Sequence, residues 1–120
     1  MINFLTVKND LVLALEADGK VTGDDYQSVI IPAVENKLRQ YKKIRLLYEL
    51  GDHFSGFDIK AMWEDLKLGL THWSDFEKIA LVSDIQWIRI VTKLFRFILP
   101  CPVKVFHNEQ LLQAEEWISG

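Results

Sequence analysis

Cysteine is nearly missing from this chain: Cys101 stands alone among 120 residues, so no disulfide can form within the molecule. That usage suits a reducing compartment. With one cysteine and only His53, His72 and His107 as histidines, no C-x-x-C or Cys/His ligand set can be assembled, and no metal or other cofactor is expected. His107-Asn108-Glu109 copies the H-x-E of zinc deaminases without the cysteines that must follow it. The glycines are few and form neither G-x-G-x-x-G nor G-x-x-x-x-G-K-[ST], which excludes the usual phosphate cradles. Basic excess is lacking too. A net charge of −3 argues against a general nucleic-acid binder, which needs a cationic surface to displace counterions. The longest apolar helical stretch, residues 85–99, is shorter than the ~20 residues that span a bilayer, and it carries three cations. The opening Met-Ile-Asn-Phe-Leu-Thr-Val-Lys does not read as a secretion signal, so the expected location is cytoplasmic, with membrane association left open by the cationic stretch.

What is present is globular. Hydrophobic residues at 49% and charged residues at 26% suffice for one core, and the length fits one domain over residues 1–120. Phe4–Lys8 and Leu11–Ala17 are β-prone runs around the turn formers Asn9-Asp10, which predicts an N-terminal hairpin ended by Asp18-Gly19-Lys20. Thr22 is a helix N-cap with Asp24 and Asp25 in the first turn. Tyr26, Ile30, Ala33, Val34, Leu38 and Tyr41 follow at helical spacing, with a kink expected at Pro32.

Ile44–Leu50 is apolar on both alternating faces, the pattern of a central strand covered on both sides. Gly51 to Phe57 then reads as a loop, and Asp58 as the cap of a helix whose stripe is Ile59, Met62, Trp63, Leu66, Leu70 and Trp73, with Leu68 opposite. Lys78–Val82 is a strand. Asp84 caps a helix reaching about Leu99, stopped by Pro100-Cys101-Pro102. Val103–Phe106 is the last strand and Glu109–Ile118 the last helix, packing some combination of Leu111, Leu112, Ala114 and Trp117. Consecutive strands joined by helices make the later strands parallel. The expected architecture is α/β: a mixed four- to five-stranded sheet with an N-terminal hairpin and about four helices covering both faces.

Several of these residues together carry a family resemblance. Thr22, Asp25-Tyr26, Pro32, "IRLLYEL" at 44–50, Phe57, "WEDL" at 63–66, "FEKIALVSD" at 76–84, Trp87, "VKVF" at 103–106, Ala114 and Trp117 resemble, in order and spacing, the SpoIIAA-like family. The resemblance covers nearly the whole chain. It implies a fold related to STAS domains and comparable with the CRAL-TRIO lipid carriers, and a non-catalytic binding or regulatory role. STAS antagonists carry a phosphorylatable serine at the start of the helix after the equivalent strand; Ser55 lies near that place, but the Asp-Ser-Ser-Gly type of motif is replaced by His53, Phe54 and Phe57.

Two regions are candidate sites. Strand ends in an open α/β sheet form a rim, which would bring together Asp52, His53, Ser55, Asp84 and His107. An acid, an imidazole and a hydroxyl raise the question of a hydrolase. However, Asp-His-x-Ser within four residues does not form a relay, and no G-x-S-x-G turn lifts a serine over an oxyanion hole. No catalytic residue is assigned.

The second region is "DIQWIRIVTKLFRFILPCP", residues 84–102. At 100° per residue Gln86, Arg89, Lys93 and Arg96 share one arc, and a broad apolar arc fills the rest. Neighbouring helices could cover the excess. Alternatively, Trp87, Val91, Leu94, Phe95 and Ile98, with Met62, Trp63 and Leu66 from the preceding helix, line a cavity for an apolar or lipid-like ligand. Arg89, Lys93 or Arg96 would then meet its carboxylate or phosphate headgroup at the mouth. A third reading lays the helix on a membrane surface. A protein partner at the rim and a homodimer covering the apolar helix are further expectations.

Overall fold

The computed structural model describes residues 1–72 and 74–120, apart from the side chains at 66, 69 and 70. Trp73, and the burial of Leu66 and Leu70 in the expected stripe, therefore lie outside the described residues. The strands run β1 Ile2–Phe4, β2 Val12–Val21, β3 Ile44–Phe57, β4 Phe76–Ser83 and β5 Val103–Phe106. They form one sheet in sequence order, with β1 antiparallel to β2 and the other neighbours parallel. This is the expected mixed sheet with its N-terminal hairpin, although the first strand ends at Phe4.

The hairpin does not end at Asp18-Gly19-Lys20. β2 continues to Val21 because Gly19 adopts φ +64°, a left-handed conformation that only glycine takes without strain, and so absorbs an irregularity in the pairing. Partner pairs run Ala17↔Leu50, then Gly19↔Phe54: two steps on β2 match four on β3, so two residues of the segment Gly51-Asp52-His53 are extra. Residues 51–57, expected to be a loop, are thus a bulged continuation of β3. Gly56, at φ +130°, supplies the second irregularity before Val21 pairs with Phe57.

Thr22 caps the first helix as expected, with its hydroxyl accepting from the Asp25 N–H and the Asp25 carboxylate accepting from the Thr22 N–H. The three-residue α1, Gly23–Asp25, passes through a π-helical turn, Tyr26–Ile30, into α2, Ile31–Gln40. Pro32 has no N–H to give. It sits in the first turn of α2, where no donor is needed, and the wide turn before it takes up the misfit. α3 is Ile59–Thr71, α4 is Gln86–Phe95, and a single 3-10 turn, Asn108–Gln110, leads into α5, Leu111–Ser119.

Helices cover both faces of the sheet as expected, but the crossover helices do not divide between them. Four parallel strands in sequence order, each crossover having the same right-handed sense, put every crossover helix on one face. Accordingly Val34 of α2, Ala61 and Leu68 of α3, and Ile88 of α4 share a core with Leu13, Leu15, Leu50 and Leu81. Only α5 covers the opposite face, where Ala114 and Ile118 pack on Val12, Ala14, Leu47, Ala80, Val82 and Phe106. Leu47, fully buried in the central strand, anchors this second core. Leu112 projects outward.

Candidate functional site: an apolar cleft with a polar floor

α3 is rolled away from the orientation its apolar residues predict. Asp58 caps it as expected, accepting from the Ala61 N–H at 2.6 Å. The buried positions among the described side chains, however, are Ala61, Glu64 and Leu68, while Ile59, Met62 and Trp63 face outward, Ile59 at 87% exposure. Leu68, expected on the far side, belongs to the core. Polar contacts explain the roll. Glu64 accepts from Gln27 at 3.3 Å and pairs with Lys67, and Asp65 accepts from the Tyr26 hydroxyl at 2.9 Å. Ala61 lets the helix approach α1, where Lys60 lies against Gly23. Ile59, Met62 and Trp63 of the expected stripe are therefore left for something else to touch.

α4 shows the same surplus more strongly. It starts at Ile85 without a side-chain cap and ends at Phe95, four residues short of the expected Leu99; Ile98 and Leu99 then close a turn on the Phe95 carbonyl. Ile88 is its one buried apolar residue among those described. Arg89 does not point to a ligand at the mouth of a cavity. Its Nη1 donates to the carbonyls of Ser83 and Phe106, each at 2.8 Å, and so pins the helix to the ends of β4 and β5. Trp87, Ile90, Val91, Leu94, Phe95, Phe97 and Ile98 all remain exposed, Phe97 at 79%. The alternative in which neighbouring helices cover this face is excluded for the described residues.

Between the two helices lies a cleft of about 260 Å³ lined by Phe57, Met62, Asp65, Trp87, Val91 and Phe95. A contiguous recess of about 170 Å³ reaches down past Trp87 and Val91 to Tyr26, Tyr48 and Leu81. Of the expected lining, Met62, Trp87, Val91 and Phe95 meet here. Trp63, Leu94 and Ile98 are exposed outside it, Arg96 lies over the Phe97 ring at 5.2 Å, and the Leu66 side chain is outside the described residues.

The floor is polar, which the apolar pattern gave no reason to expect. Asp65 is an exposed residue whose carboxyl lines both the cleft and the recess below it; the protein packed around that carboxyl raises its pKa. Burial likewise pushes the Tyr26 and Tyr48 hydroxyls well above the ordinary tyrosine value, so both stay protonated. Tyr48 Oη is close enough to Tyr26 to influence its ionisation but meets no hydrogen-bond partner among the described residues. A buried hydroxyl left unpaired costs free energy unless something arrives to satisfy it.

The rim residues form a separate place. His107 Nδ1 is 2.8 Å from the Asp84 carboxylate, which also accepts from the Asn108 N–H at 3.2 Å. Asp84 does not cap α4, contrary to expectation. The hydrogen bond from His107, and then that from Asn108, hold its carboxyl below the usual aspartate range. Asn108, not anticipated, accepts from the Asp84 N–H and donates to Glu49 and the Leu50 carbonyl, tying the ends of β4 and β5 to the middle of β3. Asp52 and His53 line a shallow cleft with Glu16, Glu49 and Asn108. Ser55 is exposed on the bulged strand and does not start α3, whose cap is Asp58. Among the described residues no three His, Cys, Asp or Glu side chains gather as a metal site, and no helix is long and apolar enough to cross a membrane.

Comparison with known proteins places this geometry. The SpoIIAA-like family model matches residues 12–119. The chain belongs to the SpoIIAA-like family. A solved structure, that of an uncharacterised protein from the DUF3478 family with a SpoIIAA-like fold from Shewanella loihica PV-4, is similar at 29% identity. The match has a TM-score of 0.79 and covers 98% of this chain and 92% of that one. No curated protein matches. A SpoIIAA-like fold suggests a non-catalytic interaction module, and among the described residues no relay of nucleophile and base is assembled at either site.

Proposed function

We propose that the protein is a non-catalytic binding module that takes up an apolar or amphipathic small molecule between α3 and α4. One observation carries this reading: both helices turn apolar side chains away from the core and toward the same cleft, Met62 on one wall and Trp87, Val91 and Phe95 on the other. Apolar walls with a few polar groups are the usual make-up of ligand pockets. Titration with the neutral dye Nile red tests it. Binding should brighten and blue-shift the dye. Val91→Glu in the cleft wall should abolish the signal, while Leu112→Glu, on the opposite face of the molecule, should leave it unchanged. Failure of the unaltered protein to bind, or equal behaviour of the two variants, refutes the reading.

The rim favours a second reading, an interaction surface for a protein partner. Glu16, Asp18, Glu49 and Asp52 make its cleft acidic, which complements a lysine- or arginine-bearing segment. Asp52→Lys should weaken such a complex in a pull-down without affecting Nile red; an unaltered complex would rule the rim out.

A further inference from the structure

We infer that the amphiphile enters polar end first and that this buried end is uncharged, a hydroxyl-type group held between Tyr48 Oη and the Asp65 carboxyl. The inference rests on the binding reading above and names the ligand class. Its starting point is a mismatch within the cleft. Cations stand outside: Arg89 is spent on two carbonyls, Arg96 lies on Phe97, and Lys93 is exposed. None of them lines the cleft or the recess below it. The polar groups are instead at the bottom, where Tyr26 donates to one Asp65 oxygen at 2.9 Å and Tyr48 Oη has no partner among the described residues.

This floor has the hydrogen-bonding capacity of one hydroxyl guest. Once a guest parts the side chains that close Tyr48 Oη off from solvent, Tyr48 can donate to the guest's oxygen, and the second Asp65 oxygen can accept the guest's proton; should Asp65 be protonated, the guest accepts from it instead. A carboxylate guest fits neither state well. Beside ionised Asp65 it would set a second negative charge, and beside protonated Asp65 it would still bring a full charge into a site that no cation lines. An ammonium guest has donors only and no lone pair to accept the Tyr48 proton, so it would pair with Asp65 and leave the Tyr48 hydroxyl without an acceptor. The apolar remainder of the molecule would lie outward along Trp87, Val91, Phe95 and Met62.

Displacement of Nile red by three amphiphiles of equal chain length, decan-1-ol, decanoate and decylamine at pH 7.5, tests this. Decan-1-ol should compete at least about tenfold better than decanoate or decylamine. Tyr48→Phe should lower decan-1-ol affinity by about threefold to tenfold, the effect of one lost hydrogen bond, while Nile red still binds. Asp65→Asn keeps an acceptor for Tyr26 and removes the charge; it should narrow the gap between decan-1-ol and decanoate. Equal competition by all three, preference for either charged amphiphile, or unchanged discrimination in both variants overturns the inference and leaves the cleft reading standing. Absence of Nile red binding overturns the cleft reading, and this inference with it.

Discussion

Asp65 and Arg89 settle a charged side chain against the fold in opposite ways. Arg89 satisfies its guanidinium on two carbonyls at strand ends, so Arg89→Ala should cost about 1.5–3 kcal/mol in chemical denaturation, the usual worth of hydrogen bonds to a charged group. No loss in the midpoint would show that these bonds carry no stability. Among the described residues Asp65 accepts only from the Tyr26 hydroxyl, and its pKa rises. Below the ordinary aspartate value near 3.9 the carboxyl is protonated in folded and unfolded chains alike. As pH rises past that value the unfolded chain releases its proton while the folded chain keeps it, so this group's contribution falls until the folded carboxyl ionises too. Asp65→Asn should therefore melt with the unaltered protein near pH 3 and above it at pH 7. A variant that melts lower at pH 7 would contradict the account. Asp84 works in the other sense: its lowered pKa favours the fold above the ordinary aspartate value, and that support is lost as pH falls through the depressed one.

At the level of elements, α3 and α4 show where sequence reasoning ends. Helical periodicity located both, and the Asp58 cap was legible because a carboxylate before an apolar run is a local signal. Which face packs inward was not legible for α3, because Ala61, Glu64 and Leu68 dock through small size and polar contacts formed by distant Tyr26 and Gln27. The floor of the cleft was hidden for the same reason: Tyr26, Tyr48 and Asp65 come from three separate elements. The continuation of β3 to Phe57 was missed because glycines that suggest a loop also serve a bulged strand. Orientation can be checked directly. Ile88→Ala should cost about 2–5 kcal/mol, and Leu94→Ala, further along the same helix on its exposed side, less than about 0.5 kcal/mol. Similar losses at the two positions would mean that α4 is packed differently. Gly56→Ala should also destabilise, by about 1 kcal/mol or more, since φ +130° strains any side-chain-bearing residue.

The whole molecule is lopsided. Three crossover helices share one face of the sheet, and α5 alone covers most of the other, which follows from parallel strands laid down in sequence order. The crowded face still ends in unpaired apolar surface on α3 and α4, whereas the rim carries carboxylates, so recognition of a greasy molecule and of a charged partner would occur at separate places. The cleft is the claim on which the rest depends. Native mass spectrometry of protein purified without detergent, then incubated with neutral lipids extracted from cells, tests it most directly. The account predicts a bound mass released by mild activation from the unaltered protein and missing from Val91→Glu; a bare chain in both, or the same bound mass in both, would contradict it.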